Sequence, residues 1–595
     1  MRFRSLVTLA LATGLLAGFA ELIGHGVRRY VLHEFLFLGP DVLWTAPLVN
    51  AAIFLLLGFG LFVGARLLPR LLTLGRAAGF FVFIGSFGAF YIFPQFHRVA
   101  ALIFAAGLGL QAARWADRRG PEHLSRLSGR LLPSLLGAVL LIAILVRGGR
   151  ALAERRALGA LPAPTIGAPN VLLIVLDTVR SFNLSLYGYH RNTSPSLDAF
   201  AAGGTTFDRA FSTAPWTLPS HASMFTGLWP QQLSASWLVP LTTEVPTLAE
   251  AMARHGYVPV GFSGNTNYVS HEVGLARGFV SFEDYVLTPA LMLRNSSLVR
   301  VVSRNRTLRR LIGEDDALGR KNAADIDHSF FRWLDHRPAG RPFFAFINFY
   351  DAHRPYLPPP PYDRMFVPPG TEPDPRLRRT ALAGDDTRIE TTAWAENAYD
   401  GGLAWLDSRL GVLFAELERR GLTDSTLIIV TADHGEEFGE HGLFDHGNSL
   451  YRQAVQVPLV IRHHGGVPAG LRVQAPVSLR DIPMTVLDLA GVGGERFPGA
   501  PLARYFGGGS PGPDTLLQGV RKAIRQPDRY PAAQGNLAAL IQDSVRYIRN
   551  LGTGEERLYD LEHDPLEQHD LAGTADGQAR LPTLRAELDR VRFAP

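Results

Sequence analysis

Apolar and polar positions divide the chain into two regimes. Five apolar stretches fall at residues 6–23, 42–65, 77–93, 99–113 and 131–146; from about residue 170 onward, apolar runs of strand length alternate with helical periods. The second stretch is long enough to cross a bilayer alone, and the last two sit near the lower limit of about 17 residues. Flanking arginines can snorkel and extend such helices. The chain opens MRFR, yet no small-residue cleavage site follows a short apolar core, so the first stretch reads as a retained helix rather than a removed signal peptide. Arginine is shared unevenly between the connecting loops. Arg66, Arg70, Arg76, Arg114, Arg118, Arg119, Arg126 and Arg130 fall on the side of the N-terminus, against Arg28, Arg29 and Arg98 on the other. The positive-inside rule puts the first set in the cytoplasm, and five crossings carry everything after residue 147 outside. The charged run RGGRALAERR beyond the last stretch opposes this orientation without reversing it. Glu21 is the one acidic residue inside a proposed span, and we expect it at a helix end near the interface rather than in a functional polar site.

After a Pro/Gly-rich link, GALPAPTIGAPN at 159–170, three apolar runs read as strands buried on both faces of a parallel sheet: VLLIVLD (171–177), PFFAFINFYDAH (342–353) and STLIIVTADHG (425–435). Helical periods lie between them, at PTLAEAMARHGY (246–257) and GGLAWLDSRLGVLFAELERRG (401–421). The expected organisation is therefore a membrane domain of five transmembrane helices at 1–147, a linker at 148–169, and an α/β domain at 170–595 with a mainly parallel sheet flanked by helices. Each apolar run ends in Asp or His, and carboxyl ends of strands are where open α/β sheets bind ligands. Composition removes several chemistries. The chain has no cysteine, which excludes disulfides, thiolate metal sites and a cysteine nucleophile. A net charge of +5 over 595 residues implies no nucleic-acid partner.

Candidate chemistry gathers in two segments. Asp433 and His434 stand at the head of DHGEEFGEHGLFDHG (433–447), which also offers His441 and His446 on a glycine-punctuated loop. Carboxylate and imidazole beside glycine suit a divalent cation; alone, such a pair would more often cap a turn. In APWTLPSHASMFTG (214–227), Thr217 precedes a helix-like stretch that opens near Ser220. A hydroxyl there would face unpaired backbone N–H groups and the positive helix end, which favour anions and a developing alkoxide. The competing reading is that Thr217 and Ser220 only cap the helix. The segment 354–395, containing PYLPPPPYDRMFVPPG, is too long for a plain connector and is either a wall of the substrate pocket or a disordered insert.

Together, PNVLLIVLDTVR, TLPSHASMFTG, FINFYDAHRPY, DHGEEFGEHG with VPLVIR, and LYDLEHDPLEQHDLA (558–572) resemble the sulfatase branch of the alkaline phosphatase superfamily, in the family's order and from about 169 to 571. The resemblance implies one divalent metal ion (Ca, Mg, Mn or Zn) held by Asp177, Asp433 and His434, with Thr217 both at the nucleophile position and on the metal. It also implies His353 and His446 at the substrate's anionic group or leaving oxygen, and a small-molecule, lipid or glycan ester as substrate. Departures from the pattern are informative. Sulfatases place Cys or Ser in a C/S-x-P-S-R block and convert it to formylglycine; here the block reads TLPSH, so that conversion is impossible at Thr217. His221 replaces the family's Arg and His446 its Lys, while Asn265 is the nearest polar candidate for the helper expected after GYVPVGF. His221 and Asn265 are accordingly taken as substrate-binding. A threonine with histidine helpers resembles the branch of phosphoethanolamine transferases and lipoteichoic acid synthase. That branch implies a bacterial inner or cytoplasmic membrane, with the catalytic domain on the periplasmic or extracellular side. The first expectation is a phosphate- or phosphonate-ester hydrolase or transferase. A sulfuric ester hydrolase with an unmodified nucleophile, and a catalytically inactive membrane-bound binding module, are the alternatives.

Overall fold

The computed structural model describes residues 2–242, 244–285, 292–293, 295–303, 321–368, 393–507, 515–524 and 526–592. The chain forms two compact units, one of residues 1–156 with 285–319 and one of 157–284 with 320–595.

The first unit carries five helices: α1 (Phe3–Tyr30), α2 (Val42–Leu67), α3 (Leu74–Tyr91), α4 (Arg98–Arg119) and α5 (Pro121–Ala160), all long and apolar enough to cross a membrane. Helix α5 runs to Ala160, so residues 148–160 are helix where a linker was expected. The reason is local: RALAERRALGA is rich in Ala, Leu, Arg and Glu, which propagate a helix they follow. Small residues let the helices approach closely. A Cβ on Gly18 would lie 2.4 Å from Pro47 Cα on α2, and one on Gly79 would lie 2.6 Å from the Gly109 carbonyl on α4.

Residues 285–319 join this unit although they lie far along the sequence. Their described part includes the short helix Ser297–Ser303. Glu21 is the receptor for it. Far from sitting at a helix end, Glu21 is fully buried within α1. Its carboxylate accepts from the Ser297 N–H at 3.0 Å, from the Ser297 hydroxyl, and from Asn50 Nδ2 at 3.3 Å. Ser296 Oγ donates to Asn50 Oδ1 at 3.2 Å, Asn295 Nδ2 to Thr45 Oγ1 at 2.7 Å, and Arg300 to His25 Nε2 at 2.9 Å. A hydrogen-bonded carboxylate is what makes this polar cluster tolerable inside an apolar bundle. Glu21→Ala is therefore expected to cost about 1–3 kcal/mol, because it leaves the Ser297 N–H buried without an acceptor. The check is the unfolding midpoint of the full-length protein in detergent, with Glu21→Gln losing less because an acceptor oxygen survives.

The second unit is built on a sheet with strand order β11-β2-β10-β6-β1-β5-β3-β4. In chain order its strands are β1 (Asn170–Leu176), β2 (Thr205–Phe211), β3 (Val258–Ser263), β4 (Ser281–Glu283), β5 (Phe343–Phe349) and β6 (Thr426–Ala432). A small hairpin, β7 (Glu437–Phe438) with β8 (Phe444–Asp445), interrupts them before β9 (Gln456–Val457), β10 (Leu459–Arg462) and β11 (Leu471–Ser478). Strands β1, β3, β4, β5 and β6 run parallel; β10 is antiparallel to both β6 and β2. The α/β fold with a mainly parallel sheet is thus as the apolar runs indicate, with β10 reversing the direction on one side. Leu172, Leu173, Ile174, Phe344, Phe346, Ile429 and Val430 have no exposed surface, which is why these strands are apolar on both faces. A second, antiparallel sheet, β12 (Thr515–Val520), β13 (Leu537–Gln542), β14 (Val545–Asn550) and β15 (Glu556–Asp560), packs Leu517, Leu540, Tyr547 and Leu558 against Leu584 and Leu588 of the helix Ala575–Arg592.

Candidate active site

β1 lies between β5 and β6, all parallel, and Leu176 pairs with Phe349 on one side and Ala432 on the other. This register places the residues that follow the three strands side by side. One ligand atom each from Asp177, Asp433 and His434 lies within 4.8 Å of the others, and all three residues are buried.

The turn out of β1 is strained. Thr178, a β-branched residue, sits at φ 60°, a conformation that costs energy and needs surrounding support. Support comes from Tyr399, whose hydroxyl donates to the Thr178 carbonyl at 2.8 Å. In this conformation the Thr178 N–H reaches Asp433 Oδ1 at 3.1 Å, and the His434 N–H reaches the same oxygen at 2.9 Å. Asp433 Oδ2 accepts no hydrogen bond; His434 Nε2 is 3.4 Å and His221 Nδ1 3.6 Å away. His434 Nδ1 donates to the Gly435 carbonyl at 3.0 Å, which fixes the tautomer and leaves Nε2 bare. Burial, with the charge of His446 beside it, holds His434 well below the ordinary histidine range, so the ring is neutral. Burial and the Asp177 carboxylate push Asp433 well above the usual carboxylate range. Two buried carboxylates facing a neutral imidazole, with Asp433 Oδ2 taking no hydrogen bond and His434 Nε2 facing the Thr217 hydroxyl, suit a divalent cation, whose charge would offset both acids.

Thr217 opens the helix Thr217–Thr226, whose first turn makes no side-chain cap at Trp216. Its Oγ1 is 3.2 Å from His434 Nε2. Ser220 is otherwise engaged: its hydroxyl donates to the Asp433 carbonyl at 2.6 Å, tying this helix to the end of β6. Neither hydroxyl caps the helix. His221 is fully buried, donates from Nδ1 to the Thr217 carbonyl at 2.8 Å, and is lowered by burial to about 4. The structure thus places His221 behind Thr217. Asn265 Nδ2 donates to Asp177 Oδ2 at 2.9 Å, and its backbone N–H donates to Asn348 Oδ1 at 3.0 Å. Asn265 therefore sits where it orients a metal-ligand candidate.

His353 and His446 meet edge to face, with ring centres 5.0 Å apart, and His446 stacks on His434 at 4.5 Å. His441 is not part of this group; its ring stacks on Tyr451. His446 Nδ1 is 3.0 Å from both Glu436 Oε1 and Asp445 Oδ1. Burial works against a charge on His446, but these two carboxylates outweigh it and hold the ring well above the ordinary histidine range. Glu436, Asp445 and His446 are themselves close enough to share a cation. Arg354, 3.1 Å from Asp445, and the Tyr356 hydroxyl, donating to Glu436 at 2.9 Å, already supply a positive charge and a donor there, which favours a proton on His446 instead. Sequence reasoning did not single out Glu436, Asp445, Tyr356 or Asn348. Asn348 could have been found as the lone polar residue within an apolar strand. The others depend on chain folding that no local pattern records. Residues 354–368 of the long segment are described, and 369–392 lie outside the described residues.

The sulfatase family profile matches residues 169–492. Among curated proteins, the chain is similar to arylsulfatase K of Bos taurus, at 29% identity over 349 residues, covering 55% of this chain and 63% of that one. The match thus spans less than two thirds of arylsulfatase K. It is also similar to choline-sulfatase of Rhizobium meliloti (strain 1021), at 25% identity, covering 71% of this chain and 86% of that one. Among solved structures, phosphonate monoester hydrolase of Agrobacterium radiobacter superposes with a TM-score of 0.56 at 26% identity, covering 70% of this chain and 96% of that one.

Proposed function

The chain belongs to the sulfatase family, and from that premise we propose that it is a membrane-anchored, metal-dependent hydrolase or transferase of phosphate or phosphonate esters with Thr217 as nucleophile. One observation carries the reading: an unmodified hydroxyl, Thr217 Oγ1, lies 3.2 Å from His434 Nε2 in a cluster with Asp177 and Asp433. With no cysteine in the chain and threonine at this position, formylglycine chemistry has no precursor here.

A divalent cation bound by Asp177, Asp433, His434 and Thr217 would lower the pKa of the Thr217 hydroxyl and offset charge developing on the transferred group. The chain's residues do the rest. Thr217 Oγ1, having given its proton to solvent, forms the bond to phosphorus as the ester oxygen departs, giving a phosphorylated threonine. His446, held protonated by Glu436 and Asp445, supplies the proton to the departing oxygen, with His353 beside it. His434 is kept neutral with its Nε2 toward Thr217. Asn265 and Asn348 keep Asp177 in place. Water or an acceptor alcohol then releases the group from Thr217. Five apolar helices would supply the anchor, and the arginine asymmetry supports a second unit outside the cytoplasmic membrane.

Sulfuric esters are the second reading, favoured by the names of the relatives. The test uses the full-length protein in detergent with added divalent metal, a panel of phosphate, phosphonate and sulfate monoesters, and intact-mass analysis of the quenched reaction. Turnover of phosphorus esters with an adduct mapping to Thr217 is expected. Turnover of sulfate esters alone moves the assignment to the second reading, and no turnover or adduct with any ester overturns both.

A further inference from the structure

Three aromatic side chains stand against the three loops that build the site. The Trp216 ring, next to Thr217 in sequence, lies 5.2 Å from the His446 ring, 4.4 Å from Trp237 and 5.1 Å from Tyr268. Tyr268 belongs to the Asn265 turn, its N–H donating to Asn265 Oδ1 at 3.1 Å. Both tryptophans press on the glycine after His446. Gly447 has φ 77°, and a Cβ there would come within 2.6 Å of the Trp237 ring and 2.9 Å of the Trp216 ring. The Trp237 indole N–H is spent on the Arg521 carbonyl at 2.9 Å, so its ring is free to act as an apolar face. Leu238 and Val239, which follow Trp237 in sequence, are about half exposed at 50% and 46%. Trp216 and Trp237 also border a cavity of about 140 Å³. Its lining is mixed, with Leu517, Val520 and Leu537 beside Gln518, Arg521 and Asn536.

Resting on the reading of an ester-transferring site at Thr217, we propose that Trp216, Trp237 and Tyr268 are specificity-determining residues that seat an apolar organic group of the substrate ester. The scissile group sits at Thr217, His434 and His446, and the carbon skeleton attached to it runs along the aromatic wall toward Leu238 and Val239. An aromatic cluster could instead receive a quaternary ammonium through its ring faces. The half-exposed apolar side chains of Leu238 and Val239, next to Trp237 in sequence, favour carbon over cation. The carboxylates beside His446, Glu436 and Asp445, are already matched by His446, Tyr356 and Arg354.

The experiment separates this claim from the catalytic one by measuring binding of inert ligands. Methyl-, benzyl- and octylphosphonate, the corresponding sulfonates, and phosphocholine are titrated into the full-length, metal-loaded protein by calorimetry. Benzyl and octyl ligands are expected to bind about tenfold or more tighter than methyl, the scale at which apolar pockets discriminate. Trp237→Ala should bring that ratio to within about threefold, and Trp237→Phe, which keeps a ring, should restore most of it. Bound metal is measured in each variant to show that the site is intact. A benzyl-to-methyl ratio unchanged by Trp237→Ala, no selectivity in the wild type, tighter binding of phosphocholine than of the benzyl ligand, or no binding of any ligand overturns the proposal. Absent turnover of phosphate and sulfate esters alongside selective binding would overturn the catalytic reading and leave the apolar wall standing.

Discussion

Thr217→Ala is expected to abolish covalent labelling and lower turnover on the order of 10⁴–10⁶-fold, the scale on which loss of a nucleophile acts in hydrolases that use one. Thr217→Ser should keep a measurable fraction of activity, because the hydroxyl survives and only a buried methyl is lost. Stability should change little in either case, since Thr217 makes no capping hydrogen bond to the helix it opens. Ser220 supplies the contrast. Its hydroxyl donates to the Asp433 carbonyl, so Ser220→Ala should cost about 1 kcal/mol of stability and retain labelling. Intact-mass analysis after incubation with a phosphorus ester, paired with thermal unfolding, separates the two residues. An adduct that survives Thr217→Ala and disappears in Ser220→Ala would move the nucleophile to Ser220.

Much of this site was legible because its parts lie at the ends of strongly patterned strands. VLLIVLD and STLIIVTADHG each announce a buried strand followed by a polar ligand, and a parallel sheet gathers such ends on one edge. What the pattern did not contain was neighbour order. That β1 stands between β5 and β6 is a property of the whole sheet, and only this order sets Asp177 beside Asp433. The antiparallel β10 was equally hidden, since a strand's direction leaves no mark on its composition. Side-chain roles were less legible than side-chain presence. His221 and Asn265 were candidates for the substrate, yet their hydrogen bonds turn toward Thr217 and Asp177. Glu436 went unnoticed because its importance comes from facing His446, ten residues on.

The helical unit teaches the converse. Hydropathy located its helices well, because an apolar run of such length has few other uses. It could not reveal that a segment from the middle of the chain belongs with them. Residues 295–303 carry no long apolar stretch; they join the bundle through serine and asparagine side chains that meet Glu21, Asn50 and Thr45. Glu21 looked like an interfacial residue because its partner Ser297 arrives 276 positions later. Polar contacts of this separation are the part of a fold that periodicity cannot carry.

Replacing Asp433 by asparagine should remove the bound divalent metal and, with it, activity on every ester. The side chain is nearly isosteric, so the two backbone N–H donors from Thr178 and His434 still find an oxygen. What changes is the second oxygen, Oδ2, which takes no hydrogen bond from the protein and is replaced by an amide NH2 that cannot ligate a cation. If that oxygen is a metal ligand, affinity falls steeply, and the loss reads directly as metal content by elemental analysis. Stability gives an independent check. Chelation of the wild type leaves the Asp177 and Asp433 carboxylates buried and facing each other, so its unfolding temperature should drop; a ligand held at 100 times its Kd contributes about 2.7 kcal/mol. Asp433→Asn has only one of the two charges to bury, so chelator should scarcely move its unfolding temperature. A strand end held only by hydrogen bonds predicts otherwise: metal content unchanged by the substitution, and wild type and variant equally indifferent to chelator. That outcome would remove Asp433 from the ligand set and leave the open oxygen to be explained by something other than a cation.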